Sequence, residues 1–141
     1  QTVRFLSELT AAIYRRIENV HRNEGEPWSA EKTLADGQGS CRDLAMLFID
    51  AARAMGIASR FVSGYSHGLQ VEGLQLHAWA EVYLPGAGWR GFDPSLGLAT
   101  DAHYLRLASA ADPQHAAPTT GSFRGNDVNS HLEYQLQLVT D

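Results

Sequence analysis

Lysine is almost absent from this chain, and the charge that remains is mainly negative. Lys32 is the only lysine among the 11 basic residues of the 141-residue sequence, and the formal net charge is −5. The arginines are scattered and form no basic stripe. Because basic side chains that neutralise phosphates supply most of the affinity for nucleic acids, we expect no nucleic-acid partner.

Cysteine is equally scarce, since Cys41 is the single one in the sequence. One cysteine excludes an intramolecular disulfide and a zinc site built from four thiolates. A lone cysteine is by default a small buried hydrophobic residue, so its neighbours must decide whether it has a chemical role.

Long apolar runs are also missing. No stretch approaches the length of about 18 residues that indicates a transmembrane helix, so we expect no membrane insertion. No basic and then apolar leader precedes the first helical pattern, and the sequence begins with Gln1 rather than Met. We therefore expect a piece of a longer chain with flanking domains, and a cytoplasmic location.

Apolar residues at helical spacing dominate the first third of the sequence. They predict an amphipathic helix from Thr2 to about Val20, a short helix over Ala30–Ala35, and a strong helix over Cys41–Met55. Gly56 is well placed to end the last of these, because glycine accepts the left-handed conformation that closes many helices.

The periodicity then changes to that of strands. Residues 74–84 alternate without error between apolar and polar positions, and the segment Pro85–Gly88 predicts a turn into a returning strand. Helices first and strands later predict an α+β fold with a mostly antiparallel sheet. The predicted strands are Ile57–Tyr65, Leu74–Leu84, Trp89–Asp93, His103–Ala108 (or a helical turn), Thr119–Arg124 and His131–Thr140.

Cys41 lies at the predicted start of the strong helix, on the side that faces the core. The first turn of a helix presents unpaired backbone N–H groups and the positive end of the helix dipole. Both favour a thiolate, which is the nucleophilic form of cysteine, and the N–H groups can also receive an oxyanion.

A histidine and an aspartate stand where they can support this cysteine. If Tyr83 pairs with Trp89 across the turn, Asp93 lies on the same sheet face as His77 and diagonal to it, roughly 7–8 Å away between backbones. A carboxylate can hold the imidazole across that gap, and Pro94 restricts Asp93 to an extended conformation. A pairing shifted by one residue would place the carboxylate on the other face.

Four segments of the sequence resemble the motifs of a known family. They are Gly39–Ala45 (GSCRDLA), Arg60–Tyr65 (RFVSGY), His77–Leu84 (HAWAEVYL) and Gly88–Ser95 (GWRGFDPS). Together they resemble the transglutaminase-like superfamily, and most closely its bacterial and archaeal branch of cysteine-protease-like proteins. The resemblance implies a papain-like fold, in which a cysteine-bearing helix packs on an antiparallel sheet.

The resemblance also implies roles for three residues. Cys41 would be the nucleophile, His77 the base and Asp93 the orienting acid of a catalytic triad in one catalytic domain spanning residues 1–141. We expect hydrolysis of a peptide or isopeptide amide in a protein or peptide substrate, through a thioester intermediate. Transfer from glutamine (transglutaminase or deamidase activity) and a non-catalytic, peptide-binding protein are the alternatives.

Further candidates surround this triad. By analogy with the family, Gln38 and Trp28 are candidates to assist the oxyanion. Trp79, Tyr65 and His67 are candidates to line a substrate cleft. We expect no cofactor and no metal, because the sequence lacks the carboxylate density of a calcium loop. A zinc site that uses Cys41, His77, Asp93 and His67 is an alternative with no compact zinc spacing behind it.

Two acidic residues near these motifs are expected to be structural. Glu81 shares the face of His77 and is expected to pair with Arg60 or Arg90. Asp43 lies in the first turn of the cysteine-bearing helix, where a negative charge complements the helix dipole.

Overall fold

Helices occupy the first part of the chain, and most strands follow them. The computed structural model describes residues 1–22, 24–69, 74–122, 124–125 and 133–139. The helices are α1 (Thr2–Arg16), α2 (Ala30–Asp36) and α3 (Cys41–Ala54), and a 3-10 turn covers Pro113–Ala116. The strands are β1 (Glu18–Asn19), β2 (Gln38–Gly39), β3 (Ser59–His67), β4 (Leu74–Leu84), β5 (Gly88–Asp93), β6 (Leu98–Ala99) and β7 (Tyr104–Ala110).

The main sheet has five strands in the order β6-β5-β4-β3-β7, and every neighbouring pair is antiparallel. This confirms the prediction of an α+β fold with an antiparallel sheet. Tyr83 pairs with Trp89, as the sequence predicted, and their rings lie 5.6 Å apart. The register therefore places His77 and Asp93 on one face of the sheet.

The core forms where α3 lies on the other face of the sheet. Phe48 of α3 is fully buried and stacks on Phe92 of β5, with 5.6 Å between ring centroids. Burying one such phenylalanine contributes roughly 1.5–3 kcal/mol. Leu6 and Ile13 of α1 complete the same cluster. The helix that begins with Cys41 is thus fixed by its apolar side.

Most predicted boundaries hold within two residues, but α1 is shorter than predicted. Ile17 adopts an extended conformation (φ −112°, ψ 123°), and the next two residues pair with β2 in parallel. The spacing of apolar residues does not reveal a pairing of only two residues such as that between β1 and β2. Gly56 has φ +75°, as predicted for the residue that ends α3. None of the helices among the described residues is long and apolar enough to span a membrane.

The last two predicted strands are wrong where the structure describes them. Residues 119–122, 124–125 and 133–139 carry no strand, and the remaining positions of Thr119–Arg124 and His131–Thr140 lie outside the described residues. Alternation indicates which face a strand would bury, but a strand also needs a neighbour with which to pair. The segment 104–110, by contrast, forms strand β7 on the edge of β3.

Candidate active site

Cys41 is the first residue of α3 and is partly buried against the core. The helix start is fixed by Asp43, whose Oδ2 accepts hydrogen bonds from the backbone N–H of Ser40 at 2.7 Å and from its hydroxyl at 2.8 Å. A carboxylate three residues after the capping position satisfies a backbone donor and complements the helix dipole. The structural role expected for Asp43 is confirmed.

The same carboxylate also holds the loop that precedes α2. Its Oδ1 accepts from the backbone N–H of Trp28 at 2.7 Å and from Nη2 of Arg22 at 2.6 Å, and the side chain is 0% exposed. Burial would raise the pKa of Asp43, but these hydrogen bonds and those from Ser40 outweigh it and lower the pKa below its ordinary value. One buried charge therefore ties the loop to the start of the cysteine-bearing helix.

Arg42 reinforces this connection from the next position of the helix. Its guanidinium donates to the carbonyl oxygens of Gly25 at 2.6 Å, Arg22 at 2.9 Å and Glu24 at 3.2 Å. Burial and the nearby Arg22 charge lower the pKa of Arg42, and Cys41 and Asp43 act in the opposite direction. The loop is thus bound to both residues that follow Cys41.

His77 and Asp93 are in direct contact. His77 Nε2 lies 2.6 Å from Asp93 Oδ2, and the side chains are 11% and 0% exposed. The pairing of β5 with β4 ends at Phe92 and Ala80, so no β5 residue among the described ones pairs with His77 through the backbone. Nε2 is held by Asp93, which leaves Nδ1 as the ring nitrogen available to the Cys41 side chain.

The ionisation states of the pair follow from their surroundings. Burial opposes a charge on His77, but the contacts with Asp93 and Cys41 outweigh it and raise the pKa of His77 to about 10. Burial also works to raise the pKa of Asp93, whereas His77, Ser95 and Tyr104 lower it below its ordinary value. With a pKa of about 10, His77 is expected to be charged at neutral pH beside the ionised carboxylate of Asp93.

Asp93 has further donors that sequence reasoning missed. Its Oδ1 accepts from the backbone N–H of Ser95 at 2.9 Å and from the Ser95 hydroxyl at 2.6 Å, and its Oδ2 accepts from the Tyr104 hydroxyl at 2.8 Å. The two Ser95 contacts form a local turn after Pro94. Tyr104 reaches Asp93 from β7, across β3 and β4, and no local motif in the sequence signals such a contact.

The predicted cleft residues lie on two faces. Trp79 is 2% exposed and packs against His77, with 6.3 Å between ring centroids. Tyr65 and His67 pair with Leu76 and Leu74, so their side chains leave the sheet on the face opposite to His77. Substrate contact by these residues stays a prediction.

The two oxyanion candidates lie on the loops next to Cys41. Gln38 is exposed and belongs to β2, three residues before Cys41. The Trp28 ring lies under two cations, with Arg22 at 4.7 Å and Lys32 at 4.4 Å from the ring centroid. Assistance to an oxyanion stays a prediction for both.

Two other expectations concern charged groups. Glu81 pairs with Arg60 at 2.6 Å, as predicted, and also with Arg106 at 3.3 Å. Within the described ranges of the chain, no group of three or more histidine, cysteine, aspartate or glutamate residues is arranged to hold a metal ion. The alternative zinc site is therefore not formed by these residues.

Sequence comparisons match this architecture to known proteins. The model of the transglutaminase-like superfamily matches residues 2–94. A protein of Mycobacterium leprae without an assigned function is 34% identical over 117 residues, covering 78% of this chain and 41% of that protein. A protein-glutamine gamma-glutamyltransferase of Pseudomonas aeruginosa is 33% identical over 89 residues, covering 56% of this chain and 13% of the enzyme.

A solved structure agrees with these matches. A proposed cysteine protease from Cytophaga hutchinsonii superposes with a TM-score of 0.68 at 30% identity, over 79% of this chain and 37% of that one. The chain thus spans less than half the length of each of these relatives.

Proposed function

Because the chain belongs to the transglutaminase-like superfamily, we propose that it is a cysteine-dependent enzyme that hydrolyses peptide or isopeptide amides through a thioester. The observation that carries the proposal is the contact between His77 and Asp93, which commits Nε2 and leaves Nδ1 for Cys41. In this arrangement Cys41 is the nucleophile, His77 the proton carrier and Asp93 the group that orients the imidazole.

The first half of the reaction starts from the Cys41 thiolate and the His77 imidazolium. The Cys41 thiolate attacks the carbonyl carbon, and the carbonyl electrons move to the oxygen. The backbone N–H groups of the first turn of α3 stabilise this oxyanion. Collapse of the intermediate breaks the C–N bond, and the His77 imidazolium gives its proton to the leaving amine. The products of this step are the free amine and a thioester on Cys41.

The second half reverses the proton movement. Neutral His77 takes a proton from a water molecule as the water oxygen attacks the thioester carbonyl. The C–S bond breaks, the acid is released, and the thiolate and imidazolium are restored. Asp93 keeps its charge throughout and stabilises the imidazolium each time it forms.

Transfer to an amine is the second candidate, and the similarity to the Pseudomonas aeruginosa glutamyltransferase favours it. The same thioester would then be attacked by a primary amine instead of water. The similarity to the proposed cysteine protease favours hydrolysis. We propose hydrolysis first, since it needs no second substrate.

The test traps the thioester and then asks what resolves it. Purified protein is incubated with peptides that carry glutamine, standard peptide or isopeptide amides, with and without a fluorescent primary amine, and is quenched in acid for intact-mass spectrometry. We expect an acyl adduct on Cys41 and release of acid without incorporation of the amine. Incorporation of the amine would show that the enzyme transfers the acyl group to an amine instead of hydrolysing the amide.

Two variants serve as controls in this test. Cys41→Ala should carry no adduct, because the chain has no other thiol, and it should cost about 1 kcal/mol or less in unfolding free energy. His77→Ala should form the adduct roughly 10²–10⁴ times more slowly. An adduct that forms equally in wild type and His77→Ala would contradict the proposal.

A further inference from the structure

Tyr104 contacts the same carboxylate oxygen that holds His77. Its hydroxyl donates to Asp93 Oδ2 at 2.8 Å, and this oxygen also lies 2.6 Å from His77 Nε2. The other oxygen, Oδ1, is occupied by the backbone N–H and the hydroxyl of Ser95. The donors on Oδ1 come from the next turn of the chain, whereas Tyr104 comes from the far edge of the sheet.

The Tyr104 ring is held independently of its hydroxyl. It meets Trp79 edge to face at 5.2 Å between centroids and lies 6.1 Å from the His77 ring. Edge-to-face contacts of this kind add stability beyond the area they bury. The ring position therefore aims the hydroxyl at Oδ2, and a phenylalanine in the same place would keep the ring contacts.

The Tyr104 hydroxyl acts only as a donor in this position. Burial and the nearby charge of Asp93 raise the pKa of Tyr104, so the phenol keeps its proton over the working pH range. A hydrogen bond from a neutral donor to a charged acceptor is stronger than one between neutral groups. The bond stabilises the ionised carboxylate and fixes the direction from which Oδ2 approaches the imidazole.

We propose that Tyr104 is a positioning residue for the reaction, acting through Asp93: its hydroxyl keeps Asp93 ionised and aligned with His77. The role rests on the proposed function of the Cys41, His77 and Asp93 triad. The loss of this donor makes Asp93 easier to protonate and frees its rotation. Asp93 then stabilises the His77 imidazolium less well at acid pH, where the carboxylate begins to take up a proton.

The experiment measures alkylation of Cys41 by iodoacetamide from pH 4 to pH 10, beside kcat, KM and thermal unfolding. In Tyr104→Phe we expect the acid limb of the alkylation profile to move to higher pH. We also expect kcat to fall roughly 10-fold or more with little change in KM, because a hydrogen bond to a charged group is lost. Tyr83→Phe is the matched control, since this exposed tyrosine packs on Trp89 at the far end of β4.

Ser95→Ala provides a second, independent comparison. It removes one donor from Oδ1 but leaves the Ser95 N–H there, so its acid limb should move less than that of Tyr104→Phe. A wild-type pH profile in Tyr104→Phe, or an equal or larger shift in Ser95→Ala, would overturn the role of Tyr104. A fall in melting temperature without any change in the profile would also overturn it and assign the hydroxyl to stability.

Alkylation needs no amide substrate, so the two proposals fail separately. If wild type forms no acyl adduct while the profile still shifts in Tyr104→Phe, amide hydrolysis is wrong and the positioning role stands. If wild type forms the adduct and the Tyr104→Phe profile is unchanged, the positioning role alone is wrong.

Discussion

Replacing Asp43 by asparagine tests whether one buried carboxylate holds the site together. Each of its oxygens accepts two hydrogen bonds, from Ser40 on one side and from Trp28 and Arg22 on the other. Asparagine has nearly the same shape but presents an NH2 group in place of one oxygen. That group meets two donors, so two bonds are lost whichever way the amide turns.

The cost can be worked out from these contacts. Removing one partner of a buried ion pair costs about 3–5 kcal/mol, because the remaining charge is left without compensation. Arg22 would be left without its carboxylate: its side chain is 20% exposed, its Nε has no hydrogen-bond partner among the described residues, and only the carbonyl oxygens of Glu24 and Glu26 would still accept from its guanidinium. Against a total stability of about 5–15 kcal/mol, this is a large share, and we expect the melting temperature to fall by about 10 °C.

The matched control is Asp36→Asn in α2. Asp36 pairs with Lys32 at 2.6 Å, but the side chains are 35% and 50% exposed, so the pair is worth less than about 1 kcal/mol. Urea unfolding of wild type and both variants at pH 7 gives the comparison. A cost for Asp43→Asn no greater than that for Asp36→Asn would refute the argument.

The pH dependence of this difference supplies a second check. The folded pKa of Asp43 is lowered, so its charge contributes stability above the unfolded pKa of about 3.9 and loses it as the pH falls through the folded value. The gap between wild type and Asp43→Asn should therefore be constant near neutral pH and shrink in acid. A gap that grew in acid would contradict the assigned charge.

Three other predictions concern the triad and the sheet. The pKa of His77 is raised to about 10, so its protonated form contributes stability that is complete below about pH 6.5 and is lost as the pH rises towards 10. Urea unfolding should show this alkaline loss of stability in wild type and not in His77→Ala. Asp93→Asn should slow acyl-enzyme formation strongly while the protein stays folded, which rapid-quench mass spectrometry measures, because an amide cannot stabilise the imidazolium. Gly64→Ala should cost about 3 kcal/mol in urea unfolding, because a Cβ there would collide with the Leu105 carbonyl. A Cβ at Gly121 meets nothing within 4 Å among the described residues, so Gly121→Ala should cost little.

The parts of the fold that depend on local pattern could be predicted from the sequence. The alternation over residues 74–84 and the turn after it predicted the pairing of Tyr83 with Trp89, on which the shared face of His77 and Asp93 depends, and the structure confirms it. The start and end of α3 followed from apolar spacing and from Gly56. Each of these features is decided within a few residues of the chain.

Contacts between distant segments could not be predicted in this way. Tyr104 reaches Asp93 only because β7 pairs with the edge of β3. The alternation of apolar and polar residues within β3 or β7 does not indicate which strands will be neighbours in the sheet. The pairing of Asp43 with Arg22 depends likewise on where the loop folds back over α3. The segment 133–139 shows the opposite error, since its pattern suits a strand but the structure assigns no strand to these residues.

Because Asp43 accepts hydrogen bonds from both the loop and the start of α3, it links the slow local opening of these two segments. The backbone amides of Trp28 and Ser40 both donate to this carboxylate, although 12 positions separate them in the sequence. A motion that displaces this carboxylate releases both amides, so we expect the two to exchange with solvent in one cooperative opening. We therefore expect hydrogen exchange to show similar protection for the two amides, with the loop and the start of α3 opening together.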